Sequence, residues 1–189
     1  MALKTRSLAH LLAFTAVLAL PACKNGGSSA QKSGSAAADK SDQTLAGVIT
    51  GADGLKTVSA ALKDTGLSEV FDGAASYTLL APNDAAFARL GNAGQALQKP
   101  EQRAALAALL RDHILPGYVT RDDVNDALRR AAGNGVKMKS MGGHVVTFAG
   151  TDNAVTVTQE DGSSAKLAGD PLLAGNGVAI PIDGVLKKL

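Results

Sequence analysis

Few side chains in this 189-residue chain could do covalent or metal chemistry. There is one cysteine, Cys23, and there are three histidines, His10, His113 and His144. A nucleophile needs a neighbouring base, and a structural or catalytic metal needs clustered ligands. Neither G-x-S-x-G nor a metal-spaced His/Cys set occurs in the sequence. Asp122, Asp123 and Asp126 are close enough together to suggest a cation. In the first turn after Thr120, however, they more simply complement a helix dipole. No catalytic residue, no cofactor and no metal ligand is therefore expected, so the chain reads as a non-enzyme. A carboxylate pair assembled from distant residues stays open, because spatial pairing cannot be read from sequence.

The chemistry that Cys23 can do is set by what precedes it. Lys4 and Arg6 form a short positive region, and Leu8 to Leu20 follow as an apolar run interrupted by His10. That run is too short for a typical membrane-spanning helix and has the length of a signal-peptide core. It ends in Leu20-Pro21-Ala22-Cys23, which resembles the bacterial lipobox, with Pro21 where a small or β-branched residue is usual. The resemblance implies a diacylglycerol on the Cys23 thiol, cleavage after Ala22 and acylation of the new amino group. Several acyl chains, at about 0.8 kcal/mol per buried methylene, hold a protein on a bilayer where one chain is marginal. The alternative is an ordinary secretory signal with an incidental cysteine. Lys24, not Asp, follows Cys23, and by analogy with enteric sorting this favours the outer membrane.

Residues 1–22 are thus expected as a signal peptide and 23–43 as the lipidated cysteine and a linker. From Lys24 to Gln43 the chain holds Gly, Ser, Ala, amides and charges, with no apolar side chain larger than Ala. Such a segment cannot bury enough surface to offset its ordering entropy. As a flexible coil its ends lie about 25 Å apart, and it can stretch to about 70 Å.

Residues 44–189 carry the elements that must position His113 and its neighbours. Leu45, Val48 and Ile49, then Leu55, Val58 and Leu62, recur at helical spacing, with Gly66 as a stop. Leu67, Val70 and Phe71 suggest another short helix. Tyr77 to Ala81 reads as a strand, and Asn83 can cap a helix carrying Phe87 and Leu90. Pro100 suits the first turn of the next helix. There Leu106, Leu109, Leu110 and His113 share one arc, Asp112 falls at its solvent boundary, and Pro116-Gly117 is expected to end it. Thr120 can cap a helix containing Val124 and Leu128. The period then changes. Gly142-Gly143 separates Val136–Met141 from His144–Ala149 as a hairpin signal. Val155 and Val157 alternate with threonines, and Asp161-Gly162 and Asn176-Gly177 mark turns. Val178, Ile180 and Ile182 share one face of a last strand, in which Pro181 implies an edge or a bulge. Helices first and a meander later, with one early strand, give an α+β class.

Composition excludes some partners. Removing Lys4 and Arg6 with the leader leaves 17 basic against 17 acidic residues, so the mature chain is formally neutral. No charge excess attracts nucleic acid, and no aromatic residues interleave Arg129-Arg130 or Lys187-Lys188. Aromatics are 3% of the chain and Trp is absent, so there are few platforms for stacking sugars or bases.

Three ordered segments resemble the fasciclin (FAS1) domain family. Tyr77-Thr78-Leu79-Leu80-Ala81-Pro82-Asn83-Asp84-Ala85-Ala86-Phe87 is similar to the family's T-x-F-A-P-T-D-x-A-F block. Leu109-Leu110-Arg111-Asp112-His113-Ile114-Leu115-Pro116-Gly117 is similar to L-L-x-Y-H-V-V-P-G. Asn176-Gly177-Val178-Ala179-Ile180-Pro181-Ile182-Asp183-Gly184-Val185-Leu186 is similar to N-G-V-I-H-V-I-D-x-V-L. The resemblance implies a β-sandwich-like wedge flanked by short helices, and a non-catalytic adhesion module that binds protein or glycan. It also makes Asp112, His113, Ile114 and Leu115 the candidate partner contacts, since the Tyr-His pair of the second block has been linked to adhesion in animal members. Here Asp112 replaces the Tyr and Ile180 replaces the third block's His. Against the contact role, the apolar arc around His113 suits a buried, hydrogen-bonded histidine, with Asp84 as a possible partner. His144, beside a Gly-Gly turn, is expected to be exposed. A structural envelope lipoprotein without a dedicated ligand, or an uncharacterised hydrolase, stand as the alternative functions.

Overall fold

A computed structural model of the chain describes residues 41–151 and 154–188. The signal-peptide and Cys23 expectations, and the linker up to residue 40, lie outside the described residues.

Among the described residues, six α-helices and eight strands follow one another. Helices α1 (Leu45–Gly51) and α2 (Lys56–Thr65) come first, followed by a 3-10 turn at Leu67–Phe71 and strand β1 (Tyr77–Pro82). Asn83 caps α3 (Asp84–Arg89), accepting from the Ala86 N–H, and α4 (Gly91–Leu97) follows directly. Pro100 opens a 3-10 turn that runs into α5 (Arg103–Asp112). Strand β2 (Ile114–Pro116), helix α6 (Arg121–Ala131) and strands β3 (Val136–Lys139), β4 (Val145–Ala149), β5 (Thr156–Gln159), β6 (Ser164–Lys166), β7 (Leu172–Leu173) and β8 (Gly177–Ile182) complete the order.

The strands form two four-stranded sheets, in the orders β2-β1-β8-β7 and β3-β4-β5-β6. The second is the antiparallel meander that the alternation and turn residues predict. In the first, β1 and β8 run parallel, with Tyr77 opposite Gly177 and Pro82 opposite Ile182. Two strands far apart in sequence thereby become neighbours, as parallel pairing requires.

The two faces of that first sheet bury into different cores. Leu79, Ala81 and Ala179 pack against α1, α2 and α5 through Leu45, Ile49, Val58, Leu62, Leu106 and Leu110. Leu80, Val178, Ile180 and Ile182 face the second sheet, meeting Val146, Phe148, Val155 and Val157. Burial on both faces explains why β1 and β8 read as nearly continuous apolar runs, not as alternation. Helix α6 joins the second core through Val124 and Leu128. Its capping box is complete: Thr120 Oγ1 accepts from the Asp123 N–H, and the Asp123 carboxylate accepts from the Thr120 N–H. Asp122 and Asp123 lie in the first turn, as expected, whereas Asp126 lies beyond it and pairs with Arg129.

Several details differ from the sequence expectation, each for a local reason. The helix expected to run to Pro116 stops at Asp112, because Ile114–Pro116 pairs antiparallel with β1 and is stabilised more by that ladder than by another helical turn. There are thus two early strands, not one. The β3–β4 connection spans residues 140–144, longer than a two-residue turn, because Ser140 donates to the His144 carbonyl and Gly143 to the Ser140 carbonyl. Pro181 lies in a central strand. Its carbonyl accepts from Ala168, on the β7 side, so the donor that proline lacks faces the stretch beyond the two-residue β7. Of the expected linker, residues 41–43 touch the domain: Ser41 donates to the Leu173 carbonyl and Gly175 to the Gln43 carbonyl.

Candidate functional site

The amphipathic stripe of α5 sets the position of the candidate residues. Leu106, Leu109 and Leu110 anchor it to the helical core, and the next turn along that stripe delivers His113 as the C-cap. His113 is wholly buried. Its Nδ1 lies 2.8 Å from the Leu109 carbonyl, which can only accept, so Nδ1 carries the proton. Nε2 accepts from the Leu186 N–H at 2.9 Å. The ring thus ties the end of α5 to the C-terminal segment, using one nitrogen as donor and the other as acceptor. Burial pushes its pKa down to about 4, against the opposing pull of the Leu109 hydrogen bond and the Asp112 charge.

Asp112 is buried as well, with its side chain 4% exposed, and not at the solvent boundary expected from the helical arc. His144 Nδ1 donates to Asp112 Oδ1 at 2.7 Å. His144 is accordingly half-exposed and tied down, not free beside its Gly-Gly turn. The 140–144 loop lies over the α5–β2 junction through two further bonds. Met141 donates to the Ile114 carbonyl (2.8 Å), and Gly142 donates to the Arg111 carbonyl (3.0 Å). Gly142 is required here by space alone, since a Cβ would sit 1.8 Å from Asp112 Oδ1.

This arrangement corrects the assignment of Asp112, His113, Ile114 and Leu115 as partner contacts. Asp112 is 3% exposed and the other three are at 0%, because the stripe turns inward and the loop covers the junction. Arg111 and Pro116, on either side, remain exposed. Asp84 is not the partner of His113. Its carboxylate accepts from the Thr57 N–H at 2.7 Å, at the start of α2, and its own N–H donates to the Gly54 carbonyl. Partial burial pushes the Asp84 carboxyl up, but hydrogen bonds from Thr57 and Lys56 and the Lys56 charge hold it below its ordinary value.

Two further polar residues of the three blocks, Thr78 and Asn176, are also used internally. Thr78, at 0% exposure, donates to the Gly117 carbonyl and accepts from the Val119 N–H, both at 2.8 Å. Asn176 accepts from the Leu45 N–H and donates to the carbonyls of Phe71 and Gly73, joining α1 to the chain after Phe71. At Gly177 a Cβ would lie 2.5 Å from the Tyr77 carbonyl oxygen, so β1 and β8 can align only over a glycine.

Shallow grooves lie elsewhere. One of about 270 Å³ is lined by Asp64, Gln98, Lys99, Pro100, Arg103 and Leu106. Another, of about 330 Å³, includes the exposed carboxylates Asp53 and Asp170 beside Asn83 and Pro181. Neither contains His113 or His144. Among the described residues no cluster of three or more His, Cys, Asp or Glu could hold a metal ion.

The pairing of Asp112 with His144 is the feature that sequence reasoning missed. The available signal was the substitution itself: an acid placed where the family has Tyr, on an inward-turning stripe, needs a donor.

Two four-stranded sheets with short helices packed on both cores, tied together by bonds from His113, Thr78 and Asn176, define an α+β module. The chain belongs to the fasciclin domain family, which matches residues 53–188. Domains of this family are typically non-enzymatic, adhesion-type modules. Protein sll1483 of Synechocystis sp. is 30% identical over 153 residues, covering 80% of this chain and 77% of that protein. Among solved structures, the FAS1 domain pair of the insect cell adhesion molecule Fasciclin I superposes with a TM-score of 0.68. That likeness covers 78% of this chain at 11% identity, and so bears on the fold alone. The chain spans about half of that domain pair, 52% of its length.

Proposed function

We propose that this chain is a lipoprotein of the bacterial cell envelope, held to a bilayer by acylated Cys23, that displays one fasciclin domain as a non-catalytic adhesion module for a protein or glycan partner. The observation that carries the anchor is the lone cysteine at the end of a short apolar run, after Leu20-Pro21-Ala22. The non-catalytic reading is supported by His113, Asp84, Thr78 and Asn176, each engaged in bonds that hold the fold. Partner contacts then belong to exposed residues outside those four, and no longer to Asp112–Leu115.

A second reading, a structural envelope lipoprotein without a dedicated ligand, is favoured by the surface. Among the described residues Met141, at 39%, is the exposed large hydrophobic, so no broad apolar patch marks an interface.

Fractionation tests the anchor. The Cys23→Ser form is expected in the soluble fraction, and its unchanged retention on membranes would refute lipid attachment. Lys24 points to the outer membrane, and protease treatment of intact cells tests display there. Loss of the domain supports a surface adhesion module. Protection while the anchored form stays in the outer-membrane fraction confines any partner to the periplasm and refutes surface adhesion.

A further inference from the structure

Methionine is scarce in this chain, and it is unevenly placed. Apart from Met1, both methionines fall in the run Met138-Lys139-Ser140-Met141-Gly142-Gly143-His144. Methionine ordinarily fills gaps in an apolar core. Met138 does so in part, packing against the second core from β3. Met141 does not. It is 39% exposed, at the first corner of the turn that Gly143 closes by donating to the Ser140 carbonyl at 3.0 Å.

The hairpin register gathers these side chains at one corner of the second sheet. Met138 stands opposite Val146, and the Ser140 N–H donates to the His144 carbonyl, which sets Ser140 opposite His144. Met138 and His144 are therefore diagonal neighbours on one face, about 7–8 Å apart and within reach of a long side chain. Met141 follows Ser140 directly, and its N–H donates to the Ile114 carbonyl at 2.8 Å, which fixes its backbone while leaving its flexible thioether arm to adapt.

His144 is already oriented as a ligand. Its Nδ1 donates to Asp112 Oδ1 at 2.7 Å, so the neutral ring keeps its lone pair on Nε2. Nε2 has no hydrogen-bond partner among the described residues, and the side chain is 45% exposed. A carboxylate behind an imidazole fixes its tautomer and its ring orientation, which is how metal-ligating histidines are usually supported. Here that carboxylate is buried, so it adds negative charge behind the ring.

The donor set selects the ion. Two thioethers and an imidazole are soft and uncharged, a set that suits Cu(I) and serves Mg2+ or Ca2+ poorly. Zn2+ and harder divalent ions need thiolates, carboxylates or several imidazoles, and among the described residues no three His, Cys, Asp or Glu cluster to provide them. Lys139, exposed beside the turn, also repels a monovalent ion less than a divalent one.

We propose that the β3–β4 corner is a binding site for one Cu(I) ion, held by Met138 Sδ, Met141 Sδ and His144 Nε2. The site stands apart from the adhesion reading and from the anchor, and its test can fail without touching either.

That test uses the full-length Cys23→Ser chain, in which no thiol competes, and Ag(I) as a redox-inert stand-in for Cu(I). One equivalent of Ag(I) is expected to shift the Met138 and Met141 methyl resonances and the His144 ring resonances together. In anaerobic competition against a chromophoric Cu(I) chelator, Met138→Leu/Met141→Leu should bind at least tenfold more weakly than the parent. The leucines conserve volume, so the melting temperature should stay near that of the parent. His144→Gln should weaken binding to a similar degree, and the leucine pair carries the test if loss of His144 impairs folding. Equal Cu(I) affinity of the parent and the leucine pair overturns the proposal. So do methyl shifts that leave the His144 ring unmoved. Displacement of Cu(I) by equimolar Zn2+ would reveal a harder donor set and overturns it too.

Discussion

His113 makes the domain sensitive to acid, by an amount that follows from its two bonds. In the folded chain the buried ring is held neutral, with its pKa lowered to about 4, whereas an exposed histidine titrates near 6.5. Between these values the unfolded chain binds a proton that the folded chain does not. Stability is therefore complete above pH 6.5, declines as pH falls through the interval, and has lost the whole contribution by about pH 4. An interval of about 2.5 pH units at about 1.4 kcal/mol each amounts to about 3 kcal/mol, a large share of an ordinary folding free energy. The structural reason is specific: protonating Nε2 removes the acceptor for the Leu186 N–H and places a charge in the core. Urea unfolding of the wild type and His113→Gln at half-unit steps from pH 7.5 to 4 measures this. The carboxylates lowered by their hydrogen bonds, Asp84, Asp123 and Asp161, lose their contributions below their ordinary values, so their window lies lower and cancels in the comparison. The expected result is a stability difference between the two forms that shrinks by about 3 kcal/mol as pH falls. A difference that stays constant from pH 7.5 to 4 would refute the assignment of His113 as a neutral, buried linker.

Two further substitutions probe the junctions around it. Gly142→Ala forces the Asp112 carboxylate away from its site, because the new Cβ would lie 1.8 Å from Oδ1. A destabilisation of about 1–3 kcal/mol is expected, and it should be largely non-additive with His144→Ala in a urea double-mutant cycle. Asn176→Ala removes one acceptor and two donors that join α1 to the chain after Phe71, and should cost about 2–4 kcal/mol in the same assay. Additivity in the first case, or a cost below 0.5 kcal/mol (roughly a surface substitution) in the second, would contradict the contacts described.

The sequence announced most elements through local signals that act within a few residues. Asn83 and Thr120 cap helices, Pro100 opens one, and the valines of β5 alternate. Such signals depend only on neighbouring backbone. They fail where a distant strand intervenes. Ile114–Pro116 has the residues to extend α5, and only β1, more than thirty positions earlier, makes it a strand. The same holds for the candidate site. The helical arc correctly placed His113 inward, but the burial of Asp112 depends on a loop thirty residues later that carries His144 and a glycine small enough to approach. Pro181 shows the converse: its ring does mark a missing donor, yet the strand is central because β7 is only two residues long.

That division explains why the family blocks specify the fold better than they specify a binding surface. Each block is a point where distant segments must meet: Thr78 holds the chain after β2, His113 holds the C-terminal segment, and Asn176 with Gly177 seats α1 against β1 and β8. A side chain that already spends its donors and acceptors on three elements has none left for a partner. Substituting His113, Thr78 or Asn176 should therefore lower the melting temperature of the domain.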